Sequence, residues 1–144
     1  MRSQQDENAK KRRLTIKNEV DELTKLPEFV DTVCEEAGVD MALIASLNLA
    51  LEEAATNVVL YAYAGGTGFV DIDAIYTPQQ LKFVITDTGI PFDPTQMKDA
   101  DITLSAEERP IGGLGIFLVR QIMDTVHYER VNDHNVLTLI KNLS

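Results

Sequence analysis

The sequence is poor in cysteine, in histidine and in positive charge. Its one cysteine, Cys34, excludes an internal disulfide, and its two histidines fall in no Cys/His spacing that suggests a zinc site. Cys34 lies in an apolar-periodic segment, where a free thiol is expected to be part of the core. Thirteen basic side chains stand against 23 acidic ones, a formal charge of −10. That balance argues against nucleic acid, whose phosphate backbone requires a cationic face. The one basic run, Lys10-Lys11-Arg12-Arg13, is expected to form a solvated arm ahead of the first strand. No apolar run approaches the ~20 residues that span a bilayer, and the opening MRSQQDENAKKRRL has no apolar signal-peptide core. A cytoplasmic protein without membrane contact is the expectation. No repeat or linker divides the 144 residues, so one domain with room for a core is expected.

What the sequence does have is periodicity. Residues 1–11 are polar and aperiodic, which predicts a flexible N-terminal arm and leaves 12–144 as the folded domain. Residues 12–18 alternate Leu14 and Ile16 with polar neighbours, the pattern of a half-buried strand. Residues 19–37 read as a helix through Leu23, Leu26, Phe29, Val30 and Val33. Pro27 either interrupts it or sits in its first turn, and Gly38 ends it. The clearest helix is 40–63. Ile44, Leu47, Leu51, Ala55, Val58 and Ala62 recur at steps of three and four, and Asp40 can cap the start. Residues 68–76 and 81–87 alternate on a period of two around the turn Thr77-Pro78-Gln79-Gln80, a hairpin. Residues 88–111 hold Pro91, Pro94 and Pro110 and show little period, as functional or mobile loops do. A helix over 112–124 opens directly out of glycines. A second hairpin joins 125–131 to 135–141. The order β-α-α-β-β-loop-α-β-β predicts an α/β (α+β) two-layer sandwich, with a mixed, largely antiparallel sheet covered on one face by three helices.

Three segments carry chemistry. Glu53 and Asn57 are one helical turn apart, about 40° around the axis, and can address one ligand; Glu52 lies about 140° from Asn57 and is the poorer partner. A carboxylate can take a proton from a hydroxyl or a water, and an Asn oxygen is a hard ligand suited to Mg²⁺. The second segment is Asp87-Thr88-Gly89, an acid at the end of an apolar strand beside a residue that allows close backbone approach. The third is Gly112-Gly113-Leu114-Gly115, glycines at a helix N-terminus, where free N–H groups and the dipole suit an anion. No Gly-Lys-Ser/Thr follows it and no strand precedes it, so neither a Walker loop nor a dinucleotide fingerprint is present. Taken singly, each has a plainer explanation: a solvent-facing polar pair, a β-turn, and close helix packing.

Together, in this order, they resemble the ATP-binding (Bergerat) fold shared by type II topoisomerases, histidine kinases and MutL-type proteins, the GHKL superfamily. Within it the chain looks most like the bacterial anti-sigma factor serine kinases. EEAATNVVLYAY, DTGIPFDP and GGLGIFLVRQIMDTVHYER resemble their N, G1 and G2 boxes. The resemblance covers roughly 12–142. It implies that Glu53 is the general base and Asn57 the Mg²⁺ ligand at the triphosphate. It implies that Asp87 accepts from the adenine amino group, with Gly89 against the base. Gly113, Leu114 and Gly115 would meet the phosphates, and 93–111 would be the ATP lid, from which Arg109 could reach a phosphate. Two positions depart from the pattern. Pro91 replaces a glycine of the G1 box. Asn135-Val136 stands where many relatives place Gly-Thr, with Thr138 displaced, so the hydroxyl that supports Asp87 elsewhere is missing from its usual place. His127 and His134 both fall in the final hairpin and are expected at the surface or an edge strand, which excludes a complete sensor histidine kinase.

The function implied is an ATP- and Mg²⁺-dependent serine-protein kinase acting as an anti-sigma factor. Its partners would be a STAS-type antagonist, which it phosphorylates, and a sigma factor, and it would form a homodimer. The alternatives are a nucleotide-gated regulatory binding module without transfer, and slow ATP hydrolysis driving dimer closure.

Overall fold

The computed structural model describes residues 9–63, 65–96 and 113–143, with 113–115 described by their backbone. Strand β1 runs Lys10–Lys17, and a 3-10 turn at Val20–Lys25 leads into helix α1, Leu26–Ala37. The single helix expected over 19–37 is therefore split. Pro27 stands in the first turn of α1, where its missing N–H costs nothing, whereas inside a longer helix it would break the ladder. Gly38 closes α1 in the left-handed conformation, φ 73°, its N–H donating to the carbonyls of Cys34 and Glu35.

Helix α2 spans Met41–Tyr61, and the Asp40 carboxylate accepts the Ala42 N–H at its start. By length and mean hydropathy α2 alone among the described residues is apolar enough to cross a membrane. Here its apolar side chains, Leu47, Leu51, Ala55 and Val58 among them, are buried in the core. Strands β2 (Phe69–Tyr76) and β3 (Gln80–Asp87) form the first hairpin. The Thr77 hydroxyl accepts the N–H groups of Gln79 and Gln80 in its turn. Helix α3 is Gly113–Ile122, and β4 (Thr125–Val131) and β5 (His134–Asn142) form the second hairpin. Its two turn residues, Asn132 and Asp133, both take positive φ, 49° and 65°. That is the two-residue geometry that matches strand twist, and Asn and Asp tolerate it.

The sheet order is β1-β2-β3-β5-β4, and every neighbouring pair is antiparallel. The mixed sheet expected from the element order is thus corrected: among the described residues no parallel pair occurs. The second hairpin docks with β5, not β4, against β3, and that choice makes the third junction antiparallel as well.

The basic run is also placed differently from expectation. Lys10 and Lys11 pair with Tyr76 and Ile75, so β1 begins inside the segment predicted to be an arm. Arg13 reaches Asp73 through two bonds of 2.6 and 3.1 Å, and Arg12 reaches Glu36 on α1 through two of 2.8 and 2.7 Å. Acids spaced along β2 and α1 turn a run that looked like a solvated tail into an edge strand. Residues 1–8 of the predicted arm lie outside the described residues.

One sheet face carries Ile16, Val70, Ile72, Phe83, Ile85, Leu137 and Leu139, all buried. Against it pack Val30, Val33 and Cys34 from α1, Leu47, Leu51 and Val58 from α2, and Ile116 and Val119 from α3. Each such large side chain contributes about 1.5–3 kcal/mol on burial. Cys34 is a core thiol as expected, and burial pushes its pKa up to about 11. Ala54 and Ala55 on α2 and Ala62 at its C-cap are buried small residues, and this half of the helix carries the candidate site.

Candidate functional site

The site is built along α2. Glu53 is half-buried and Asn57 is fully buried. The difference follows from position on the helix: Asn57 lies beside Ala54 and Val58 on the packed side, with Glu53 nearer the rim. Burial raises the Glu53 pKa, and the neighbouring Glu52 carboxylate raises it further. Asn57 is more unusual. Neither its Oδ1 nor its Nδ2 has a hydrogen-bond partner among the described residues. Buried polar side chains are nearly always satisfied, and an unsatisfied one costs about 1–3 kcal/mol.

The Asp87 loop closes over the C-terminal end of α2. The Ile90 N–H donates to the Ala62 carbonyl at 2.8 Å. A Cβ on Gly89 would collide with that same carbonyl, so the glycine is required by backbone packing against the helix end. The Tyr63 hydroxyl accepts the Thr88 N–H at 3.0 Å and donates to the Phe69 carbonyl. From the other side Arg130 on β4 donates to the Gly89 carbonyl at 2.8 Å. The loop is therefore clamped between α2 and the last hairpin. Within it the Gly89 N–H folds back onto Asp87 Oδ1 at 2.9 Å, an Asx turn. The turn geometry and the close approach coexist at one segment.

Asp87 itself is buried, 3% exposed, and burial raises its pKa against the lowering effect of Asn135, the Gly89 N–H, Arg130 and His134. Asn135 pairs directly across from Asp87 in the β3–β5 register. Its Nδ2 donates to Asp87 Oδ1 at 2.8 Å and to the Ile90 carbonyl at 2.7 Å. Its Oδ1 accepts the Tyr128 hydroxyl at 2.5 Å and the Phe92 N–H at 3.2 Å. The gap expected where relatives carry Gly-Thr is thus filled by the side chain standing there. Sequence reasoning named Asn135 only as a departure. The signal available was its place at the start of a strand opposite Asp87, which becomes visible once the register is known.

Further along, Asp93 Oδ1 accepts the N–H and hydroxyl of Thr95, and Arg120 on α3 donates to the Thr95 carbonyl. Gly113, Leu114 and Gly115 form the first turn of α3 rather than a loop before it. Their N–H groups are those a helix leaves without internal partners. Gly112, Arg109 and residues 97–111 of the expected lid lie outside the described residues. His127 is exposed on β4, at the sheet edge, and His134 is exposed where β5 begins.

Measured along the helix axis from Ala62, where the Asp87 loop is anchored, Asn57 lies about 7.5 Å away and Glu53 about 13.5 Å, at 1.5 Å per residue. The three features are set out in a row. An antiparallel five-stranded sheet with three helices packed on it is the architecture of a histidine kinase-like ATPase domain. The family model described as "Histidine kinase-like ATPase domain" matches residues 16–141, and the chain belongs to that family.

Among its relatives is the serine-protein kinase RsbW of Listeria monocytogenes, 31% identical over 117 residues, covering 73% of this chain and 74% of the relative. Another is the serine/threonine-protein kinase BtrW of Bordetella bronchiseptica, 30% identical over 95 residues, covering 65% and 67%. Among solved structures, the histidine kinase domain of the Erythrobacter litoralis EL346 blue-light activated histidine kinase superposes with a TM-score of 0.55 at 16% identity. It covers 84% of this chain, which spans 60% of that one, and the likeness carries the fold.

Proposed function

We propose that the chain is an ATP-dependent serine-protein kinase that acts as an anti-sigma factor. In this role it phosphorylates a STAS-type antagonist and binds a sigma factor when the antagonist is modified. The observation that carries the reading is Asn57: a buried amide without a partner among the described residues, set between a half-buried carboxylate and a clamped Asp-containing loop. A fold retains such a cost where a ligand offsets it. The relatives named as serine-protein kinases support the same direction.

In this reading each residue has a role. Asp87 accepts the amino group of adenine, with Gly89 allowing the loop to lie close. The first turn of α3, Gly113, Leu114 and Gly115, offers N–H groups to the phosphates, joined by Arg109. Glu53 takes the proton of the acceptor serine as its oxygen attacks the γ-phosphorus. The bond to the β–γ bridging oxygen then breaks, and ADP leaves. Mg²⁺ fits the residues present. No cluster of three or more His, Cys, Asp or Glu occurs among the described residues, and Mg²⁺ typically uses one or two protein oxygens with the phosphates. The Asn57 Oδ1 is such an oxygen, and the ion, when bound, would neutralise charge on the phosphates. A cytoplasmic homodimer, with a single ATP-binding domain per chain, completes the proposal.

The decisive test is incubation with Mg-ATP and a STAS-type antagonist. One phosphate on an antagonist serine, located by mass spectrometry, is expected; ATP binding by calorimetry with no transfer selects the non-catalytic switch instead.

The raised Glu53 pKa fixes a pH dependence. The base works as the carboxylate, so transfer is lost as pH falls through a pKa above the ordinary carboxylate value. Glu52→Gln removes one of the two causes that raise it. The acid limb of the transfer rate is then expected to move to lower pH, and a limb that moves upward or stays put counts against Glu53 as the base.

A further inference from the structure

We infer that Asn135 is a positioning residue for nucleotide selection: it turns one oxygen of Asp87 inward and leaves the other to meet the 6-amino group of adenine. The inference rests on the ATP-pocket reading and adds to it a residue that acts through another.

The geometry is fully determined. Asn has two donors and two acceptor lone pairs, and all four are used, toward Asp87, Ile90, Tyr128 and Phe92. The amide cannot be flipped without loss. A flip would aim its oxygen at the Asp87 carboxylate and the Ile90 carbonyl, both acceptors, and its NH₂ at the Phe92 N–H, a donor. The orientation is therefore set by the Tyr128 hydroxyl and the Phe92 N–H on one side and read out on Asp87 on the other. With no capacity left for a ligand, Asn135 acts on nucleotide binding through its partners, and its bond to Asp87 is the one that bears on the carboxylate. On Asp87, Oδ1 is taken by Asn135 and the Gly89 N–H. Oδ2 receives no bond from the described residues and is the oxygen left to accept.

A second consequence separates positioning from simple packing. The acceptor is the carboxylate, so ATP binding is lost as pH falls through the Asp87 pKa. Burial raises that pKa; Asn135 opposes it, with the Gly89 N–H, Arg130 of β4 and His134 of β5. Removing Asn135 leaves the other three in place and moves the acid limb of ATP binding to higher pH.

The test compares the full-length wild type, Asn135→Leu and Tyr128→Phe by calorimetry. The probes are Mg-ATP and the Mg complex of purine riboside triphosphate, which lacks the 6-amino group. A hydrogen bond to a charged group sets the scale: wild type is expected to prefer ATP by about 10–100-fold, and Asn135→Leu to retain a preference of no more than about threefold. Tyr128→Phe, which loses one bond to the amide and keeps the rest, is expected to fall between the two. The acid limb for ATP should move up in Asn135→Leu, which loses the Asn135 bond that lowers the Asp87 pKa. A preserved ratio with an unmoved limb overturns the inference, and so does equal weakening of both nucleotides, which marks a merely structural role. A wild type that does not bind ATP, or binds both nucleotides alike, overturns the pocket reading beneath it.

Discussion

Glu53→Gln is expected to lower serine phosphorylation of the antagonist by about 10²–10⁴-fold, the usual contribution of a positioned general base. ATP binding should persist, because the amide keeps the size of the side chain and Glu53 stands about 13.5 Å along the helix axis from the anchor of the Asp87 loop, at 1.5 Å per residue. The comparison with Glu52→Gln gives the experiment its resolution. Glu52 is exposed on α2 and points about 140° away from Asn57. Its removal should shift a pH limb and leave the rate above that limb intact. Equal loss in the two variants, or an undiminished rate in Glu53→Gln, sinks the assignment of the base.

Asn57→Leu is expected to have opposite effects on stability and on ligand binding. The substitution replaces a buried amide that has no partner among the described residues with an apolar side chain of similar size. It should relieve a cost of about 1–3 kcal/mol and raise the melting temperature of the free protein. It also removes the oxygen proposed for Mg²⁺. Wild type at a nucleotide concentration of 100 times Kd should gain about 2.7 kcal/mol from binding, seen as a higher Tm with Mg-ATP, and the variant should gain little. A variant that is less stable alone yet still stabilised by Mg-ATP would show that Asn57 is a structural residue with an unseen partner. The two expected signs are opposite, so general damage to the fold cannot imitate the result.

How far the site was legible in the sequence differs by residue. The helix bearing Glu53 and Asn57 was plain from its three-and-four spacing and from the Asp40 cap, and its observed bounds differ from expectation by one or two residues at each end. The spacing also put both side chains on one face. It could not show that one would be sealed from water with no partner among the described residues, because burial depends on what packs against the helix. Gly89 was legible as a residue allowing close approach, but the surface approached is the Ala62 carbonyl, 27 positions earlier in the chain. In the sequence Asn135 reads only as a departure because the motif is defined by residue type at a position. The physical requirement is a donor facing Asp87, which an amide meets as well as a hydroxyl.

The basic run shows the same limit on a smaller scale. Lys10 to Arg13 have no apolar periodicity, and charge alone reads as solvated tail. Asp73 and Glu36 supply the partners, and both are remote in sequence. The sheet is the larger case. Period-two patterns located the strands, but direction depends on which member of a hairpin docks, and both β4 and β5 alternate. Only the docked hairpin decides between them, because β5 presents the buried Leu137 and Leu139 while β4 is mostly exposed.

By itself, then, the sequence determined the elements, the apolar faces and the three boxes that mark a histidine kinase-like ATPase domain. Each of these follows from residues near one another along the chain, through helical or strand periodicity and backbone chemistry. Tertiary structure alone decided that, among the described residues, the sheet is wholly antiparallel and Asn57 is buried without a partner, and that Asn135 and Arg130 hold the Asp87 loop. Those features arise from contacts between distant segments, where register and burial are set by the packing of the whole core.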